Sequence, residues 1–195
     1  MTQGETGPTD PRPERVFAFI DSQNLNVSTQ KFGWKMDWQK FRKWLGDRYG
    51  VGKAFMFIGY IPENESLYEQ MHDAGYAVVL KPTFDMTKPR LEDVRKDDDK
   101  KDKKPEDKKP VKGNIDAELV LWAMKEMSNY DKAIIVSGDG DFFCLVEYLA
   151  DKKRLLHLLT PSGHYSSLYN RYDDYVVRLD QFKSDLRYRD FRRRK

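Results

Sequence analysis

VFAFID, residues 16–21, is a strand-length apolar run that ends on an aspartate. Five runs of similar character follow it: AFMFIGYI (54–61), YAVVL (76–80), AIIVS (133–137), LLHLL (155–159) and YVVRL (175–179). Nearly continuous apolarity means that both faces of each strand are covered, which is the condition of a parallel sheet with helical crossovers. Segments of helical periodicity fill the gaps. Asp37 to Tyr49 puts Trp38, Phe41, Trp44 and Leu45 along one face, and Asn64 to Ala74 stops before Gly75. Asn114 to Met127 carries Ile115, Leu119, Trp122 and Ala123 on one stripe, and Asp141 to Ala150 carries Phe142, Leu145, Val146 and Leu149. The alternation predicts an α/β fold: an open, doubly wound, mostly parallel sheet flanked by helices in a three-layer sandwich.

The 195 residues fit one domain with tails. The hydrophobic fraction of 39% is low because two polar stretches, 1–14 and 95–112, contribute almost nothing to it. The expected organisation is a disordered segment over 1–14, a domain over 15–182 and a basic tail over 183–195. Within the domain, RKDDDKKDKKPEDKKPVK (95–112) lies in an expected flexible charged loop over 88–112, since so few apolar groups cannot offset its ordering entropy.

Charge is uneven. The net is +3, yet residues 178–195 hold eight basic against three acidic side chains and residues 95–112 hold nine against six, which leaves the remainder at −5. An acidic body with basic appendages suits an acidic site beside a polyanion-gripping surface; a solvated tail and loop kept for solubility is the alternative. Cys144 stands alone, which excludes a disulfide framework and a multi-cysteine zinc site. No apolar run approaches the length of a membrane span and the N-terminus lacks a signal-peptide core, so a cytoplasmic protein with no membrane partner is expected.

In doubly wound sheets ligands sit outside the carboxyl ends of the strands. Asp21 follows the first strand and Asp139 follows AIIVSG, so two distant carboxylates arrive at one sheet edge. Asp141 lies two residues on, placed either to face the same crevice or to cap the next helix, with Gly138 and Gly140 allowing a tight turn. Asp116 lies three, four and seven residues before Leu119, Val120 and Ala123, which sets it in a first helical turn along the apolar face, while Glu118 is turned towards solvent. An exposed position at the helix N-terminus is the other reading of Asp116. Two like charges about 4 Å apart cost roughly 4 kcal/mol at an effective dielectric near 20, so convergence of these acids demands protons or a cation. All-oxygen donors favour Mg²⁺ or Mn²⁺, since His72, His157 and His164 are scattered and supply no soft cluster.

FAFIDSQNL (17–25), KGNIDAELVLWAM (112–124) and SGDGDFFCLVEYL (137–149) resemble, in order and spacing, the motifs of NYN domains, the LabA-related branch of PIN-like nucleases. The resemblance covers roughly residues 15–180. It implies a metal site of Asp21, Asp116, Asp139 and Asp141, with Asn24 ordering it and Ser137 supporting it. It further implies metal-dependent ribonuclease activity, with single-stranded RNA as partner and a homodimer as a possible assembly. Two departures stand out. Trp122 occupies a place where many members carry a further acid, and Asn114-Ile115 adds a residue to the commoner Lys-Gly-Val-Asp form.

Hydrolysis through this site needs no covalent intermediate, since no Ser-His-Asp or Cys-His pair is evident. Lys112 and the tail residues Arg192, Arg193 and Arg194 are candidates for phosphate contacts, and Tyr165 and Tyr169 for stacking on unpaired bases. Two rival readings remain. A haloacid-dehalogenase-type phosphatase needs an acid two residues after its nucleophile, where this chain has Gln23. A non-catalytic RNA-binding or protein-interaction module of the same fold is the alternative that Trp122 favours.

Overall fold

The computed structural model of the chain describes residues 12–82 and 115–189. The N-terminal segment up to residue 11, the charged loop, Lys112 and the tail arginines Arg192, Arg193 and Arg194 lie outside the described residues. Six strands, β1 (Val16–Asp21), β2 (Val51–Tyr60), β3 (Tyr76–Pro82), β4 (Lys132–Val136), β5 (Leu155–Thr160) and β6 (Val176–Arg178), pair entirely in parallel in the order β3-β2-β1-β4-β5-β6. β1 is central, with Ala18 opposite Ala54 on one side and Ile134 on the other.

The continuous apolarity of the strands is spent on two layers. Ala18, Ile20, Met56, Ile134 and Val136 point to one face, where α1 (Ser22–Lys31), α2 (Trp38–Tyr49), α3 (Glu65–Asp73) and α6 (Lys183–Leu186) contribute Leu25, Phe41, Leu45, Met71 and Leu186. Phe19, Phe55, Phe57 and Ile135 point to the other, covered by Leu119 and Ala123 of α4 (Asp116–Lys125) and by Leu145, Val146 and Leu149 of α5 (Phe143–Asp151). The sandwich expected from sequence is therefore present, and the sheet is wholly parallel. Among the described residues no helix is long and apolar enough to cross a membrane.

Local chemistry sets the helix ends. The Asp37 carboxylate accepts the Lys40 N–H (3.1 Å) to open α2, and Gly50, at φ 67°, closes it in the left-handed region that suits glycine. β1 enters α1 with no intervening loop, because Asp21 is at once the last strand residue and the N-cap. The ordered body also runs past residue 182. Leu186 is fully buried, its carbonyl accepts the Asp37 N–H at 2.8 Å, and Arg187 bridges to Met36, so the first residues placed in the tail by sequence dock on α2.

Candidate functional site

Strand order reverses between β1 and β4, and crevices at such switch points are the binding sites of doubly wound sheets. The same strand order serves dinucleotide-binding folds, but there a glycine-rich loop separates the first strand from its helix; here that space is closed by the Asp21 cap. What the switch point presents instead is acid. Asp21 ends β1 at 4% exposure, and Ser137, Gly138 and Asp139 leave β4 beside it.

One buried hydroxyl ties the two chain segments together. Ser137 Oγ donates to Asp21 Oδ2 (3.2 Å) and accepts the Asp139 N–H (3.1 Å). Asp21 Oδ1 accepts the Asn24 N–H (3.0 Å), and the Asn24 side-chain oxygen accepts the Gly138 N–H (3.0 Å). Asn24 and Ser137 thus hold the end of β1 against the end of β4 by reciprocal bonds. Burial pushes the Asp21 carboxyl above the usual aspartate range; bonds from Asn24 and Ser137 oppose this, and the nearby Asp139 charge adds to it.

Asp139 caps the single turn over Gly140–Phe142, accepting the Asp141 N–H at 3.2 Å, and its own carbonyl accepts the Tyr169 hydroxyl. Asp141 is therefore not the cap; it stands exposed at the rim. Gly140 is required for space rather than for backbone angle, since a Cβ there would lie 2.5 Å from Ser166 Oγ. Asp116 sits half-buried in the first turn of α4. Asp21, Asp116, Asp139 and Asp141 line one cleft of about 470 Å³ together with Ile115 and a face of α1 formed by Gln23, Asn24, Val27, Ser28 and Lys31.

The acids share the cleft without closing on one point. Among the described residues no three acidic, histidine or cysteine side chains stand in the grouping that would hold a metal ion. Like charges favour such spacing. The donor set nonetheless fits a hard divalent cation: it is all carboxylate oxygen, one member is largely withdrawn from water, and Asp141 is free of the core and exposed enough to turn.

Other expectations change. Glu118 does not face solvent alone but is half-buried in an ion pair with Lys81 (2.9 Å). Trp122 packs on Phe55 (5.4 Å between rings) with the Lys125 ammonium over its face, so the place of a family acid is taken up by aromatic packing. Tyr169 is fully buried with its hydroxyl engaged, which removes it as a stacking surface; Tyr165 is half-buried and bonded to Asp173. Sequence reasoning missed the α1 face. It also missed a shallower adjoining groove of about 830 Å³, which shares Asn24, Asp139 and Asp141 with the cleft and is walled by Gly163, His164, Tyr165, Ser166 and Leu168 from the segment after β5. The position of that segment, next to β4 at the same sheet edge, was the available signal.

Three comparisons bear on this arrangement. Over 93% of this chain and all of the other, the fold is similar to a crystal structure of a protein of unknown function from Vibrio parahaemolyticus, at a TM-score of 0.66 and 21% identity. The sequence is 25% identical over 177 residues to the low amplitude and bright protein LabA of Synechococcus elongatus, covering 89% of this chain and 88% of that protein. The sequence profile of the NYN domain matches residues 15–180. That span takes in all six strands and all four acids of the cleft, and the chain belongs to the NYN domain family, a group that is generally nuclease-like.

Proposed function

We propose that this protein is a metal-dependent ribonuclease that hydrolyses single-stranded RNA at the cleft between β1 and β4. The observation that carries the reading is Ser137 Oγ, which bonds the Asp21 carboxylate and the Asp139 N–H and so holds two acids far apart in sequence at one switch point. Asp21 and Asp139 would hold a Mg²⁺ or Mn²⁺ ion, with Asp116 and Asp141 as direct or water-mediated partners. Such an ion supplies Lewis-acid activation of water and offsets charge building on the scissile phosphate.

The chain's own groups do the positioning. Ser137 and the Asn24 N–H fix both Asp21 oxygens, so that carboxylate loses little freedom on engaging a ligand. Tyr169 anchors the Asp139 carbonyl and the Asp141 N–H anchors its carboxylate. Asp141, exposed at the rim, would reach the ion directly or through a bound water. Membership of a generally nuclease-like family supports the same reaction class.

A second reading, an RNA-binding module without turnover, draws on Trp122 and on the spacing of the acids. Incubating the purified full chain with labelled single-stranded RNA and Mn²⁺ separates the two. Cleavage that is lost in folded Asp139→Asn supports the nuclease; RNA retained intact at every metal concentration, with affinity preserved, supports the binding module.

A further inference from the structure

Beside the Lys31 end of α1, the geometry points to a stacking site for one unpaired nucleobase, formed by Phe32 and His164. The inference rests on the RNA reading above and adds to it a binding position for the strand. Phe32 follows α1 and is 42% exposed, and it belongs to neither apolar layer of the sandwich. Its ring lies 5.4 Å from that of His164, tilted by 34°, and His164 is itself exposed on the wall of the adjoining groove. Phe32 follows Lys31 of the cleft and His164 belongs to the groove, so the two rings join the end of α1 to the segment after β5.

Charge along the cleft runs in the same sense. Gln23, Asn24, Val27, Ser28 and Lys31 recur every three to four residues, so the cleft follows α1 along its length. Its acids lie at the Asp21 end. Lys31, the one cation among the described residues lining it, lies at the Phe32 end. A polyanion with one phosphate at the acids finds a counter-charge and an aromatic surface in succession at the other end. The ten residues of α1 span about 15 Å. At about 3.4 Å per stacked nucleotide that distance is about four nucleotides, and fewer in a stretched strand. Aromatic faces accept any base, so the site confers binding without sequence preference.

The test compares an oligoadenylate with an abasic ribose-phosphate oligomer of equal length, using the full chain carrying Asp139→Asn so that neither is cut. Adding Phe32→Ala is expected to weaken binding of the oligoadenylate about tenfold and of the abasic oligomer less than twofold. His164→Ala is expected to follow the same pattern, and Phe32→Trp to keep the affinity. Thermal midpoints unchanged by these substitutions at exposed positions verify the fold. Equal losses on the two oligomers, no loss on either, or no base-dependent affinity in the parent protein overturns the stacking site. Cleavage by the wild type is scored separately. If the wild type cuts RNA but Phe32→Ala keeps its base-dependent affinity, the stacking site fails and the nuclease stands; if the wild type cuts no RNA but Phe32→Ala loses base-dependent affinity, the reverse holds.

Discussion

Replacing Asp21 with asparagine is expected to stabilise the fold in chelator while removing activity. The carboxylate is 4% exposed, and its desolvation and the Asp139 charge outweigh the bonds it accepts, so its folded pKa lies above the ordinary value. A raised folded pKa means the native state holds the proton more tightly, so this group's contribution is fully present below the unfolded pKa near 4 and is lost as pH rises through the folded value. Asparagine never ionises and escapes that loss. Its amide oxygen can keep the Asn24 N–H, and its NH₂ can face Ser137 Oγ, whose hydroxyl rotates to accept. Relieving a strained charge at a functional site is typically worth about 1 kcal/mol, or about 2–4 °C in Tm for a domain of this size. Thermal unfolding of both proteins by circular dichroism, in chelator from about pH 4 to about pH 8, reads it out. The variant's advantage should be largest at neutral pH and vanish near pH 4. A variant less stable than wild type at pH 8, or a difference that does not vary with pH, would show that the buried Asp21 charge does not destabilise the fold.

Mn²⁺ at about a hundredfold over its Kd should stabilise the wild type by about 2.7 kcal/mol, and Asp139→Asn should lose most of that shift when both are followed by thermal unfolding. Gly140→Ala drives a methyl to 2.5 Å from Ser166 Oγ and 3.2 Å from Leu168 Cδ1, so urea denaturation should register a loss of about 1–3 kcal/mol. Ending the chain after residue 182 removes buried Leu186 and the acceptor of the Asp37 N–H, at a cost of about 3 kcal/mol or more. Ending it after residue 189 should leave the melting temperature unchanged and flatten the salt dependence of RNA binding.

The parts of this molecule that could be read from sequence are those in which one physical demand acts on consecutive residues. β1, β2 and β4 must satisfy two apolar layers at once, so VFAFI, AFMFI and AIIV stand out as unbroken runs. Asp21 and Asp139 were found by the same logic, because a polar residue directly after such a run falls at the sheet edge. α1 escaped notice because SQNLNVSTQK buries only Ser22, Leu25 and Thr29, and its helix depends on the Asp21 cap and on packing against the sheet rather than on an apolar stripe. The role of Gly140 depends on Ser166, a residue from beyond the next strand, and local sequence carries no trace of it. Tyr169 and Phe32 exchanged places for a similar reason. Composition marks both as aromatic, and only the packing determines that Tyr169 is buried under Asp139 while Phe32 is open.

A divalent cation shared by Asp21 and Asp139 underlies the proposed chemistry. Anomalous diffraction from crystals of the full chain grown with Mn²⁺ measures it directly. A manganese peak is expected in the cleft in contact with both carboxylates, and none in Asp139→Asn crystals grown alike. Well-ordered wild-type crystals with an empty cleft at saturating Mn²⁺, or with the ion bound away from these two residues, would contradict it.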